Sequence, residues 1–174
     1  MSTQIIRATQ LREEASTANE QGNIDRAEVL YAESREIFLR EGGEFFVEAA
    51  NIMNTLALMK AKHGDSHGAL QAAEKSVQIL SQINSSSNRK ADEIRLQSLM
   101  IIGNIHRRLT RYNEAEQALQ RALDQALHVF GAADEQTTLI FNELALLYKQ
   151  MGKLERQRDY RQETDTHIVL KESL

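Results

Sequence analysis

Residues 22–34 read GNIDRAEVLYAES, and they combine a helix break with the start of an amphipathic helix. Gly22 can end one helix because glycine tolerates positive φ, and Asn23 can cap the next. Small residues follow five and twelve positions after the glycine, at Ala27 and Ser34. Because small side chains let two helices pack closely, this stretch predicts a tight helical hairpin.

The same arrangement recurs around three more breaks, at Gly64, Thr110 and Gly152, which gives spacings of 42, 46 and 42 residues. A small residue stands seven positions before each break and a larger apolar one four positions earlier. The small set is Ala15, Ala57, Gly103 and Ala145, and the larger set is Leu11, Met53, Leu99 and Phe141. A near-constant period of this size is typical of helical repeat proteins.

Looser breaks at Gly42-Gly43, at Asn84 to Asn88 and at Gly131 separate the hairpins from one another. Together the breaks predict an all-α chain of eight helices in four units. The units cover about residues 3–43, 44–84, 89–131 and 134–171 of a single domain spanning 1–174. A helical bundle with accidental periodicity is the competing interpretation, and four aligned units argue against it.

The pattern resembles the tetratricopeptide repeat (TPR), most clearly in residues 22–34 and in residues 111–123, which read RYNEAEQALQRAL. The long period, with the match at residues 122–135 and 141–148, looks like the kinesin-light-chain subclass. The resemblance implies a right-handed α-α superhelical solenoid of four hairpins, whose first helices line a concave groove. Thr110 departs from the turn glycine, and the family's frequent closing proline is absent.

The last helix, about residues 153–171, is more polar than a repeat that would be covered by another one. It carries Gln157, Arg161 and Thr164 where apolar or small residues would pack a further repeat. Terminal repeats need a polar outer face for solubility. We therefore expect this helix to be a cap that closes the array.

Composition favours helix and disfavours several functional classes. The chain has 174 residues, a net charge of -4, and no proline, cysteine or tryptophan. Without cysteine it can form neither a disulfide framework nor a thiolate metal site, and a cytoplasmic location is expected. No stretch reads as a signal peptide or a membrane span. The charge is mild but uneven: the first hairpin is acidic, whereas residues 89–111 are basic.

A binding groove for another protein or peptide is the function that the resemblance implies, and helical spacing selects its lining from the first helices. The predicted lining is Asn51, Asn54, Leu58, Lys62, Ile101, Asn104, Arg107, Arg108, Asn142, Leu146 and Lys149, with Arg12, Ser16, Asn19, Gln97 and Leu139 on the same faces. Asparagine amides can bond a peptide backbone, the apolar residues can hold anchors, and the cations favour an acidic partner. Alternatively, the asparagines are merely solvated and the apolar residues pack between repeats.

Catalytic chemistry has little support in the sequence. His63 and His67 stand on either side of the Gly64 turn, which breaks the continuous helix face that a metal pair needs. No phosphate-binding loop, nucleophile elbow or metalloprotease motif occurs. The cluster Arg107, Arg108, Arg111 and Tyr112 is the one argument for RNA, and it lacks a continuous basic track with stacking aromatics. We expect no cofactor, no metal and no enzyme activity.

Four other hypotheses about function remain beside that of a groove-binding adaptor or scaffold. One is a secretion-type chaperone with a dedicated client, and another is a self-assembling repeat protein, which would form a homo-oligomer. A metal-dependent or a nucleic-acid-modifying enzyme is the least favoured. A clamp for a C-terminal carboxylate is not supported, because the comparable faces carry Thr55, Leu58 and Ile101.

Overall fold

The structure, a computed structural model, describes residues 2–83, 88–153, 156 and 160–162. All regular structure in this part of the chain is helical, which confirms the all-α prediction. The helices are α1 (Thr3–Glu20), α2 (Ile24–Glu41), α3 (Phe46–Lys62), α4 (Ser66–Leu80), α5 (Arg89–Arg108), α6 (Tyr112–Val129) and α7 (Glu135–Gln150), with a 3-10 turn at Gly43–Phe45.

The predicted eighth helix lies largely outside the described residues, and so do Gln157 and Thr164 of its polar face. The described positions within it, Arg156 and residues 160–162, are helical, and Arg161 is exposed. Residues 84–87 of the loop before α5 are also outside the described part.

The chain divides into two compact units, Met1–Arg95 and Leu96–Leu174. In the first unit α1 packs on α2, α2 on α3, and α3 on α4. In the second unit α6 packs on α7. In each of these pairs a helix packs on its neighbour in sequence.

The four tight breaks share one backbone geometry. Their central residues all have positive φ, at 79° for Gly22, 85° for Gly64, 58° for Thr110 and 70° for Gly152. After each, an amide donates to the carbonyl five residues back, as in Asn23 to Ala18 at 2.8 Å and Arg111 to His106 at 2.9 Å. This 6→1 bond with a left-handed residue is the Schellman ending of a helix, so one closing device is used four times.

The predicted small and large positions form the core of the hairpins. Ala15, Ala57 and Ala145 are buried, and so are Leu11, Met53, Leu99 and Phe141. At Gly103 a Cβ atom would lie 2.7 Å from Leu119 Cγ, so only glycine fits where α5 meets α6. Burial at these positions agrees with the packing that the sequence pattern predicts.

Two buried serines add hydrogen bonds to this packing. The Ser34 hydroxyl donates to the Ala8 carbonyl at 2.7 Å, and the Ser76 hydroxyl donates to the Ala50 carbonyl at 2.9 Å. Both pairs join the second helix of a hairpin to its first. No helix in the described residues is both long and apolar enough to cross a membrane.

Candidate functional site

The face of α3 in the first unit carries four of the predicted groove residues. Leu58 is 58% exposed, Lys62 is exposed, and Asn51 is half-buried. Asn54 is different, because it is 3% exposed and its Nδ2 donates to the Ile94 carbonyl at 3.1 Å. Its amide joins α3 to α5 instead of facing solvent. The face open to a partner on α3 therefore excludes Asn54, contrary to the exposure that helical spacing alone suggested.

Two ion pairs that the sequence did not predict connect α1, α3 and α5 in the same unit. Glu48 Oε2 accepts from Arg12 Nη1 at 2.5 Å, and Glu48 Oε1 accepts from Lys90 Nζ at 2.5 Å. Burial opposes ionisation of Glu48, but the bonds and charges of Lys90 and Arg12 outweigh it and hold the Glu48 pKa below its ordinary value. No repeat offset marks this pair, because Lys90 stands 42 residues after Glu48 whereas the tight turns of these two units, Gly64 and Thr110, are 46 residues apart.

A second bridge joins α5 to α7 in the second unit and uses two predicted groove residues. Asn104 Oδ1 accepts from Arg107 Nη2 at 2.9 Å and from Arg107 Nε at 3.3 Å. The same guanidinium lies 3.9 Å from Glu143 Oε2 and 3.4 Å from the Gln150 amide oxygen. The Arg107 side chain is only 17% exposed. Arg107 and Asn104 are thus already engaged within the protein, while Arg108 is exposed and Ile101 is half-buried.

The solvent-exposed face of α7 carries four residues of the predicted lining, and all four are exposed. Leu139 is 44% exposed and Leu146 is 40% exposed, and Asn142 and Lys149 are exposed beside them. Their spacings of three, four and three residues place all four on one helix face. Two solvent-exposed leucines alternating with an amide and a cation make a short amphipathic stripe.

On the other side of the first unit, the structure shows a cleft that the sequence did not predict. It has a volume of about 770 Å³, with α2 and α4 as its walls and α3 as its floor. The apolar lining includes Leu39, Met53 and Leu56. The small residues Ala32, Gly68 and Ala72 also line the cleft and leave space between α2 and α4. The cleft is also charged, with Glu28, Arg35, Glu36, Lys60, Asp65 and Lys75 among its lining residues.

Two of these cleft residues, Lys60 and Arg35, form contacts between the helices that line the cleft. Lys60 Nζ donates to Glu28 Oε1 at 2.6 Å and lies 3.8 Å from Asp65 Oδ2. Arg35 Nη1 lies 3.4 Å from the Met53 sulfur. The cleft therefore combines apolar residues, a polarizable sulfur, three cationic side chains and three carboxylates.

In the second unit an aromatic cluster surrounds Glu116. Its Oε1 accepts from the Tyr148 hydroxyl at 2.7 Å and from Arg156 Nη1 at 2.9 Å. The Tyr160 ring stacks on Tyr148 with centroids 5.4 Å apart, and its hydroxyl donates to Gln120 Oε1 at 3.2 Å. Burial, and secondarily the bond to Glu116, raises the pKa of Tyr148 well above its ordinary value.

The two histidines near Gly64 lie on either side of the turn, as predicted. His63 follows α3 and His67 lies in α4, where its Nε2 is 3.1 Å from the Gln71 amide nitrogen. Within residues 2–83, 88–153, 156 and 160–162, no three histidine, cysteine or acidic side chains come together in a way that could hold a metal ion.

Comparison with known proteins agrees with this architecture. Residues 95–159 match the family model "Tetratricopeptide repeat". The chain is similar in structure to BtubC (BKLC) from P. vanneervenii, with a TM-score of 0.76 and 18% identity over 98% of this chain and 73% of that one. It is also similar to aspartyl phosphate phosphatase F from Bacillus subtilis, with a TM-score of 0.80 and 11% identity over all of this chain.

This chain spans only 43% of the phosphatase's length, and identities this low show a shared fold alone. A search of curated protein sequences gave no significant match. The findings support a TPR-like helical repeat fold, with a recognisable TPR segment at residues 95–159.

Proposed function

We propose that this protein is an interaction module that binds a peptide or a helix of a partner protein on its first-helix faces. The observation that carries the proposal is the exposed stripe on α7, where Leu139 and Leu146 face solvent beside Asn142 and Lys149. Exposed leucines grouped on one helix face, with polar neighbours, are the composition of a small docking surface. Tetratricopeptide repeats are protein-interaction modules in general, so the matched segment supports the same reading.

The bridge between α5 and α7 would make this surface rigid before a partner arrives. Arg107 connects Asn104 on α5 to Glu143 on α7. A surface that is already ordered loses less conformational entropy on binding, which favours affinity. In this proposal Arg107 and Asn104 position the surface, while Arg108 and Lys149 are the cations that an acidic partner would meet.

In the first unit, the equivalent docking face is that of α3, with Asn51, Leu58 and Lys62. Leu58 is the most exposed predicted leucine, at 58%. The partner that suits either face is an extended or helical segment with a few apolar anchors and acidic residues.

Three finer assignments belong to the same proposal. The long spacing of the tight turns, together with α5 and α6 of 20 and 18 residues, supports the kinesin-light-chain-like subclass. An adaptor or scaffold role follows from the absence of any catalytic motif in the sequence. A cytoplasmic location rests on the cysteine-free composition.

The test exploits two leucines of nearly equal exposure on different helices of the second unit. Leu146 on α7 is 40% exposed and Leu127 on α6 is 41% exposed. Tagged wild-type protein, Leu146→Asp and Leu127→Asp would be used in quantitative affinity capture with mass spectrometry. We expect partners captured by wild type to be retained by Leu127→Asp and reduced about tenfold by Leu146→Asp, the effect of about 1.4 kcal/mol.

Circular dichroism and thermal melting would confirm that both variants are folded. Equal capture by the two folded variants would show that the α7 face is not the docking surface.

A further inference from the structure

The cleft of the first unit has a counterpart in the second, and the two differ in the side chains at several corresponding positions. Counted from the tight turns, Glu28 corresponds to Glu116, and Lys60 corresponds to Tyr148. Both pairs are hydrogen-bonded, at 2.6 Å for Lys60 to Glu28 and 2.7 Å for Tyr148 to Glu116. The same cross-helix bond therefore forms the same corner of both units.

In the second unit this corner receives a tyrosine ring from the next helix. Tyr160 stacks on Tyr148 and lies 6.1 Å, centroid to centroid, from the Phe141 ring. In the first unit the residue at the position of Tyr160 is Ala72, and that of Phe141 is Met53. The cleft of about 770 Å³ is open there, with Ala72 and Met53 in its lining. The second unit thus shows that a tyrosine ring fits the space that corresponds to this part of the cleft.

The lining of the first-unit cleft suits an aromatic ring from outside. The Met53 sulfur and the Arg35 guanidinium lie together at 3.4 Å, and Lys60, on the same helix as Met53, also lines the cleft. Thioethers make favourable contacts with ring edges, and cations with ring faces. The second unit uses this chemistry internally, since Lys153 Nζ and the Arg156 guanidinium lie 5.7 and 5.5 Å from the centre of the Tyr148 ring.

The charges of the cleft indicate what should flank such a ring. Arg35 and Lys75 both line it, and so does Glu36, whose carboxylate pairs with Arg40. Among the ion pairs formed by described residues, none involves Arg35 or Lys75. Lys60, in contrast, is paired with Glu28 and Asp65. An acidic residue next to the ring would complement the two remaining cations.

We propose that the cleft between α2 and α4 binds a tyrosine or other aromatic side chain of a partner protein, flanked by acidic residues, at the place that Tyr160 occupies in the second unit. This site is separate from the α7 face, so it stands or falls independently of the function proposed above.

The probe is a capped nine-residue peptide with one central tyrosine and two flanking glutamates, compared with a twin in which alanine replaces the tyrosine. Binding would be followed by NMR of methionine methyl groups in the full chain, with the Met53 signal assigned from Met53→Leu. We expect the tyrosine peptide to shift the Met53 methyl saturably, and the twin to bind about tenfold more weakly or not at all.

A blocking variant introduces into the cleft the side chain that the second unit has at the corresponding position. Ala72→Tyr places a ring where the second unit has Tyr160, and we expect it to weaken peptide binding at least about tenfold while the protein stays folded. Gln78→Tyr is the matched control, because it adds the same ring at an exposed position of α4 outside the cleft. It should bind the peptide as wild type does.

A charge variant keeps the proposal testable even if Ala72→Tyr does not fold. Arg35→Gln combined with Lys75→Gln should weaken the glutamate-flanked peptide about threefold to tenfold, and should leave a glutamine-flanked tyrosine peptide unchanged. The proposal is overturned if the Met53 signal does not move, if the alanine twin shifts it equally, or if a folded Ala72→Tyr variant still binds.

Discussion

Thr110 shows how strongly the repeat dictates backbone conformation at single positions. It adopts φ of 58°, in the left-handed region that its three counterparts reach as glycines. A β-branched residue is strained there, because its side chain crowds the backbone. The sequence placed the turn correctly although the glycine was missing, since the small residues on either side kept their offsets. The Schellman bond from Arg111 to His106 forms all the same.

Replacing Thr110 with glycine should therefore stabilise the protein. Relief of strain of about 1–3 kcal/mol is partly offset by the greater freedom of glycine in the unfolded chain, which leaves a gain of about 0.5–1 kcal/mol. For a chain of this size that corresponds to a Tm higher by about 1–4 °C. Thr110→Ala is the control, because it keeps the strain. A glycine variant no more stable than the alanine variant would contradict the strain argument.

The buried serines and Asn54 show that the sequence does not predict the hydrogen-bond partners of individual polar residues. Small size at Ser34 and Ser76 was predictable from the offsets, but their bonds to the carbonyls of Ala8 and Ala50 were not. The amide of Asn54 was assigned to solvent, and the structure uses it to hold Ile94. A polar residue on a helix reads the same in sequence whether water or a neighbouring helix satisfies it.

Between elements, the first helices are tied together by ion pairs. Glu48 connects Arg12 of α1 to Lys90 of α5, and Arg107 of α5 approaches Glu143 of α7. Carboxylates thus already engage Arg12 and Arg107, two of the cations on the predicted faces. This changes the site: the accessible cations are those outside the bridges, such as Lys149.

Glu48→Gln should reduce stability by about 1–2 kcal/mol at pH 7, since it removes two charge-assisted bonds. The folded Glu48 pKa lies below its ordinary value, so this stabilisation is complete above that ordinary value and disappears as pH falls through the folded one. The difference between variant and wild type should therefore shrink below about pH 4. Urea unfolding at pH 7 and pH 3.5 would measure it.

Glu44→Gln provides the comparison, because Glu44 is exposed and forms no ion pair with the described residues. It should cost almost nothing at either pH. A Glu48→Gln penalty that is the same at pH 3.5 as at pH 7 would rule out the electrostatic explanation.

At the scale of the whole molecule, the tyrosines set an alkaline limit to stability. Burial, the largest cause in each case, raises the pKa values of Tyr31, Tyr148 and Tyr160 above the ordinary value. The folded protein then holds these protons more tightly than the unfolded chain does. Their contribution is complete below the ordinary pKa near 10 and is lost as pH rises through the folded values.

We expect the free energy of unfolding to fall between about pH 10 and pH 12 as a result. Tyr148→Phe should cost about 1 kcal/mol at pH 8, through loss of the bond to Glu116, and should flatten the fall above pH 10. Urea unfolding at pH 8, 10 and 11.5 would test both parts. An equally steep fall in the variant would mean that other groups control the alkaline limb.

By itself, the sequence determined the all-α class, the four tight turns and the residues at the closest helix contacts. These features repeat at fixed offsets, and each follows from local rules: a left-handed residue ends a helix, and a small one lets another helix approach. Only the tertiary structure decided which polar groups stay available. It closed Glu48, Arg107 and Asn54 inside bridges between helices, and it opened a cleft at Ala72 where the second unit has Tyr160. The bridges depend on residues 36 to 42 positions apart in the sequence, whose separation in space no local pattern encodes.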